Sequence, residues 1–576
     1  ITVDRESKVI FEDDSMEDEV RRVLFQNDVT ITEEIPESTD ETAQDEPVRL
    51  TIRIPIGDMT PQGIINLMNM LHSKQYLINR SIGENGFSIS DSLTEALNIQ
   101  NFENTKAVVD YIIEHGGCDG VAFLEEDIIF AGFRYPLDSE RYLPCMELAA
   151  AMVKKASALA NMKTGRLNVS IGKAIVQAAD EVIAGEFADQ FPVDPIQGGA
   201  GTSVNMNMNE VLANRACEIL GHPKGSYDIV SPNNHCNMAQ STNDAFPTAI
   251  KVCAILKSKP LLEALQRLVD ELEKKAEEYS EILKMGRTHL QDAVPITLGQ
   301  EMGAYASGIR RGIKRIKSAV EGAHVINMGA TAVGTGLNAE PNYIHDVAYE
   351  LSEVVGEPFY TAENLIDATN NTDVFADISS GLKVTALVLI KMANDFRLMA
   401  SGPRCGIGEL KLPARQPGSS IMPGKVNPVI AEVLNQVCYQ VIGNDLTITL
   451  AVENGQFELN VMEPVLAYNL FNNLCYLKNG VNTFVDKLLV DLEVDREQCE
   501  YWLNRSVGIV TALLPHLGYE TASALAKEAY ETGRAIRDII LDQGLLTEDE
   551  INHILSPKEM TRPGIAAADL LKHKGN

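Results

Sequence analysis

The stretch SSGLKVTALVLIKMANDFRLMAS (379–401) decides the fold class. Its apolar residues do not keep to one stripe; they cover more than one face of the helix that the run predicts. A helix that is apolar nearly all round is a buried helix. AEVLNQVCYQVIGNDLTITLAVENG (431–455) has the same texture. Between 260 and 283, Leu261, Leu265, Leu268, Leu272, Ala276, Tyr279 and Leu283 recur at helical spacing, and Pro260 suits a first turn. MELAAAMVKKASALANM, from Met146, opens this series of Ala/Leu-rich helices. Such helices predict the core of a large bundle and of an oligomer. From about 496 the expected helices shorten, with turn signals such as LPHLGYE (514–520).

Composition agrees with a mainly α protein. Of 576 residues, 45% are hydrophobic and only 6% aromatic, which favours helix over an all-β sandwich. The formal net charge of −32 excludes nucleic acid as the main partner, because a polyanion would be repelled. No apolar run reaches the length of a membrane span, and no charged-then-apolar leader opens the sequence. Nine scattered cysteines without a CxxC pair argue for buried reduced thiols in a cytoplasmic protein, with neither a zinc site nor a disulfide framework.

The first 140 residues read differently. EEIPESTDETAQDEP (33–47) holds seven acids and no aromatic, and reads as a solvated linker. VRLTIRIPIG (48–57) alternates like a strand, 60–80 looks helical, a further helix falls near 104–117, and GVAFLEEDIIFAGF (120–133) is apolar. Together they predict a small α/β module.

Four polar islands interrupt the helical background. They are GGAGTSVNMNMNEVLANRA (198–216), SPNNHCNMAQSTNDAFPTA (231–249), GRTHLQDAVPITLGQE (286–301) and GSSIMPGKVNP (418–428). Each alone reads as capping or turn chemistry. A phosphate cradle is excluded at the first, since no Gly-Lys-Ser/Thr follows; GTGLNA (334–339) lies among helices and not in a βαβ unit. Together the islands offer many neutral donors, with Lys425 as a fixed cation, His289 as a titratable imidazole and no metal cluster. That set suits a small dicarboxylate and the stabilisation of negative charge growing on it.

GSSIMPGKVNPVIAE (418–432) resembles the signature GSSxMPxKxNPxxxE of the aspartase/fumarase superfamily. The other three islands and GATAVGTGLN (329–338) resemble further blocks of that family, in its order, over about 146–576. QSTND, NVMEP (460–464), SVGIVTALLPHLGYE (506–520), GLLTEDEI (544–551) and EMTRPGIA (559–566) are closer to the aspartase branch than to fumarase. The resemblance implies an aspartase/fumarase-like fold with a central long-helix bundle, and a homotetramer with sites shared between subunits. It divides the chain into an acidic segment and linker (1–47), the α/β module (48–140), a lyase N-terminal domain (141–241), the bundle (242–495) and a small C-terminal helical domain (496–576).

The activity implied is deamination of L-aspartate to fumarate and ammonia, with no cofactor. The alternatives are fumarate hydration and a non-catalytic scaffold. By the same resemblance Ser419 is the base, Thr202, Ser241, Thr242 and Ser420 hold the β-carboxylate, Thr288, Lys425 and Asn427 clamp the α-carboxylate, and Asn243 and His289 face the amino group. One departure stands out. Family members open with a pattern like YYGxxTxRAxxNF, whereas here DGVAFLEEDIIFAGF (119–133) occupies that place without the Tyr-Tyr, Thr or Arg. Arg134 and Arg141 are the nearest candidates to replace the arginine.

Overall fold

A computed structural model describes residues 60–82, 88–115, 142–415, 422 and 424–572, with strands at 2–3, 9–10, 30–34, 48–55, 118–119, 121–124 and 127–134. The chain divides into two units, Ile1–Ser139 and Glu140–Asn576.

In the first unit an antiparallel sheet is built from β1 (Thr30–Glu34), β2 (Val48–Pro55), β3 (Val121–Leu124) and β4 (Asp127–Arg134), in the order β1-β2-β4-β3. β1 takes in Glu33 and Glu34, the first residues of the acidic stretch. Three helices accompany the sheet: α1 (Pro61–Ile82), α2 (Asp91–Ile99) and α3 (Thr105–Glu114). Ile64, Leu67, Met68 and Leu71 recur every three or four residues on α1, and all four are buried. Ser90 caps α2 by accepting from the Leu93 amide.

The second unit is helical. α4 (Tyr142–Lys163), α5 (Val169–Ile183) and α6 (Thr202–Ile219) precede α7 (Thr242–Glu278). A hairpin of β5 (Leu283–Thr288) and β6 (Gln291–Thr297) then leads into α8 (Leu298–Glu321). α9 (Pro341–Val355) packs on α4, and α10 (Asp373–Met399), α11 (Val429–Glu453) and α12 (Glu463–Phe484) complete the long helices. Contacts run α7–α8–α10–α11–α12 and back to α7, so five rods close into a ring. Every rod therefore buries more than one face, as the apolar runs required. The C-terminal helices α13 (Arg496–Arg505), α14 (Val510–Leu517), α15 (Tyr519–Thr532), α16 (Ile536–Asp542) and α17 (Glu548–Ile554) form a separate core around Leu513, Leu525, Ile539 and Ile551. Met285 of β5 joins that core and ties the hairpin to it.

Two expectations change. Pro260 does not open a helix: α7 begins at Thr242 and carries both Pro247 and Pro260 inside it, and it ends at Glu278, so Leu283 belongs to β5. A proline removes one rung of the helix ladder. Here Lys257, Ser258 and Leu261 around it are buried, and packing holds the rod continuous. The cysteines also differ from a uniform set of buried thiols. Cys145 of α4 and Cys253 of α7 form a disulfide with Cα atoms 5.9 Å apart, and Cys405 is exposed. The pair is 108 residues apart in sequence, so spacing gave no sign of it.

The turn out of α7 depends on one close approach. A Cβ added at Gly299 would lie 2.3 Å from the Ala276 carbonyl oxygen and 2.8 Å from the Ser280 nitrogen, both backbone. Gly299→Ala is therefore expected to cost about 1–3 kcal/mol, read as a lower denaturant midpoint with an unchanged slope.

Candidate active site

The first polar island builds the start of α6. Gly199, Ala200 and Gly201 all have positive φ (79°, 54° and 87°), which turns the chain sharply before Thr202. A side chain at Gly201 would meet the Phe246 ring of α7 at 2.5 Å, so glycine lets the two helix starts approach. Thr202 is exposed, and its hydroxyl donates to Gly199 O at 2.7 Å.

The second island starts α7. Ser241 is the N-cap, its hydroxyl accepting from the Asn243 amide (3.2 Å), while its own amide donates to Asp244 Oδ1 (2.8 Å). Asp244 is fully buried, and its second oxygen accepts from the Gly329 and Thr331 amides at 3.1 and 3.0 Å. One carboxylate thus fastens the loop GATAVGTGLN onto the helix start. Asn243 Nδ2 donates to Ala332 O at 2.7 Å, which leaves its Oδ1 as an outward acceptor. Thr242 is buried and accepts from Asn205 Nδ2 of α6 at 3.2 Å. Below them lies Lys154 of α4, whose ammonium burial pushes down to about 7 against the attraction of Asp244. Burial pushes the Asp244 carboxyl up to about 7, against three backbone donors and Lys154. Thr202, Ser241, Thr242 and Asn243 therefore share one end of the bundle, where two helix N-termini converge. Unpaired amides and the positive end of each helix dipole favour an anion there.

Thr288 and His289 stand at the opposite end. The two-residue turn of the hairpin is His289-Leu290, both with positive φ (56° and 60°), closed by the Thr288–Gln291 pair. Both Thr288 and His289 are exposed at its tip. The base of the hairpin is held by charge: Glu409, fully buried, faces Arg287 Nη1 at 2.8 Å and Lys284 Nζ at 3.3 Å, and Lys284 also pairs with Glu301 at 3.0 Å. Lys425 and Asn427 precede α11, whose start packs beside the end of α10 through Asn435 Nδ2 to Asn394 Oδ1 (2.8 Å). The start of α8 meets that same end of α10 through Tyr305 OH to Asp395 Oδ2 (2.8 Å). Lys425 is exposed, and Asn427 half-buried. Ser419 and Ser420 lie outside the described residues, as do the side chains of Arg134 and Arg141. DGVAFLEEDIIFAGF contributes β3 and β4 to the sheet of the first unit.

The expected site residues thus fall into two groups separated by α7, which at 37 residues spans about 55 Å. Glu409, Lys154 and Asn237 (which accepts from Lys154) belong to the support of these groups and were not singled out from sequence. A signal existed for one of them. Lys154, Ser157 and Asn161 recur at helical spacing on the alanine-rich α4, and all three are buried. Among the described residues no group of three His, Cys, Asp or Glu is arranged to hold a metal, and no helix is long and apolar enough to cross a membrane.

The family model described as Lyase matches residues 129–443, and the fumarase C C-terminus model matches 509–562. The chain belongs to the aspartase/fumarase superfamily. Aspartate ammonia-lyase of Bacillus subtilis is 53% identical over 442 residues, 77% of this chain and 93% of that protein. Aspartate ammonia-lyase of Escherichia coli is 46% identical, over 72% of this chain and 87% of its own length. Among solved structures, a fumarate lyase of Brucella melitensis in a cobalt-bound form is similar with a TM-score of 0.72 and 44% identity, covering 73% of this chain and 91% of that one. A class II fumarase of Schistosoma mansoni has a TM-score of 0.69 and 36% identity, with 74% and 93% covered. Superfamily members of this kind act on small dicarboxylates, which agrees with the donor-rich helix starts described above.

Breaking the hairpin's charge support tests its role. Glu409→Gln leaves Arg287 and Lys284 under-compensated in a buried setting. It is expected to cost about 3–5 kcal/mol, measured by denaturant unfolding.

Proposed function

We propose that this chain is an aspartate ammonia-lyase, a carbon–nitrogen lyase that converts L-aspartate reversibly to fumarate and ammonia. The observation that carries this reading is the 46–54% identity to curated aspartate ammonia-lyases along most of their length. The fumarase reading rests on a more distant likeness, at 36%.

The chemistry is limited by a weakly acidic Cβ proton. Its removal becomes feasible only when the adjacent carboxylate can hold a second negative charge as an enediolate. In this proposal Ser419 is the base, its pKa lowered by a donor-rich setting. Ser241, Thr242 and Ser420 hold the β-carboxylate at the N-termini of α6 and α7, and Thr202 joins them by turning its hydroxyl from Gly199 O. Thr288, Lys425 and Asn427 clamp the α-carboxylate. Asn243 has its amide nitrogen engaged by Ala332 O, so its free oxygen suits the substrate's ammonium, with His289 opposite.

One chain cannot bring both groups to one ligand across about 55 Å of rigid helix. The site we propose is assembled between copies, in a cytoplasmic homotetramer: the end of one bundle bearing Thr202 and Ser241–Asn243 meets the end of a neighbour's bundle bearing Thr288, His289 and 418–428. Exposure of the hairpin tip, with Leu290 71% accessible, supports such a docking.

Purified protein given L-aspartate or L-malate, with fumarate followed by ultraviolet absorbance, is expected to respond to aspartate. Ser419→Ala should lower the rate by about 10²–10⁴-fold without unfolding the protein, and turnover of malate alone would replace this reading with fumarate hydration. Co-refolding inactive Ser419→Ala chains with inactive Ser241→Ala chains is expected to restore about a quarter of parental activity, because random assembly leaves that share of shared sites intact. No recovery in assembled hybrids would mean that each site comes from one chain.

A further inference from the structure

Beneath the two helix starts lies a buried lysine with no part in the chemistry above. Lys154 is 2% exposed, and its ammonium donates to Asn237 Oδ1 at 3.0 Å and Gln240 Oε1 at 2.8 Å. An ammonium only donates, so both amides are fixed with their oxygens toward it. Asn237 turns its nitrogen the other way, to Gln240 O at 3.2 Å.

That choice of orientation propagates. Asn237 Oδ1 also accepts from Asn205 Nδ2 at 3.2 Å and from Asn209 Nδ2 at 3.1 Å. Because this oxygen can only accept, Asn205 must present its NH2 group to it. The second proton of the same NH2 reaches Thr242 Oγ1, also at 3.2 Å. Thr242 therefore accepts from Asn205, and among the described residues no acceptor takes the proton of its own hydroxyl. Reversing any one amide would place two donors or two acceptors face to face in a buried site, at the cost of an unmade hydrogen bond.

Resting on the reading of Thr242 as a carboxylate ligand, we propose that Lys154 is a positioning residue. Through Asn237 and Asn205 it fixes the Thr242 hydroxyl as a donor toward the carboxylate on which charge builds. An ammonium directs the relay because it offers donors and has no accepting orientation. Asp244 favours the ammonium form against burial, and its oxygens are engaged by backbone amides and so do not compete for the relay's protons.

Steady-state deamination by the assembled enzyme tests this with Lys154→Met, Thr242→Val and the double variant. Lys154→Met is expected to lower kcat by about 30-fold with KM changed less than about threefold, the pattern of an interaction lost mainly in the transition state. In the Thr242→Val background it should cost no more than about threefold further, because the hydroxyl it orients is gone. An equal loss in both backgrounds, or a rise in KM alone, overturns the relay. Should Lys154→Met fail to assemble, Asn205→Leu decides, since it leaves the ammonium paired and cuts only the last link. A kcat loss that vanishes with Thr242→Val supports the relay, and a parental kcat overturns it. Failure of the functional reading looks different: wild type then releases no ammonia, or Thr242→Val keeps the parental kcat.

Discussion

A helix cannot be compressed, and that constraint organises this molecule. α7 carries Ser241 and Thr242 at one end and delivers the chain to the β5–β6 hairpin at the other, with 37 residues of rigid rod between. The other four rods, α8, α10, α11 and α12, close the ring with it. Each end has its own charged support. At one, Asp244 binds the 329–331 loop to a helix cap. At the other, Glu409 gathers Arg287 and Lys284 under the hairpin. On the proposed assignment the carboxylate donors Thr202, Ser241 and Thr242 lie at one end and Lys425 at the other, and that reading has copies meet.

The ring also explains the composition. Burying a rod on several sides needs apolar residues beyond a single stripe, and Leu382, Ala386, Leu389, Ala393 and Phe396 on α10 are all fully buried. Polar groups inside the ring meet partners at several places, as with Ser379 and Lys383 on Asp445, or Asn444 on Asn473. The hydrophobic core thus fixes the ends in space, and the ends carry the polar work.

Much of this was legible in the sequence. Apolar runs without a single stripe announced buried helices, and the four polar islands marked the rod ends. What periodicity does not carry is continuity and distance. Pro260 looked like a helix start because proline is at home there, yet neighbouring turns packed on all sides hold α7 through it. Nothing in the spacing of Ser241 and Thr288 says that they lie at opposite ends of a rod until the rod's length is known. Lys154 sat unnoticed beside Lys155 on an alanine-rich helix, because its meaning comes from Asn237, Gln240 and Asp244, some eighty to ninety positions away. The disulfide between Cys145 and Cys253 was hidden for the same reason.

The acidity noted at the outset, −32 per chain, bears on encounter as well as on partners. On the proposed site assignment, fumarate, a dianion, approaches against the far field of the whole particle, and meets attraction only within a Debye length of Lys425 and the helix starts, about 8 Å at physiological ionic strength. Inert salt screens the long-range repulsion before it weakens those close contacts. On that assignment, ligand capture is expected to quicken as salt is first added, the reverse of the behaviour of an enzyme that draws its anion in from afar.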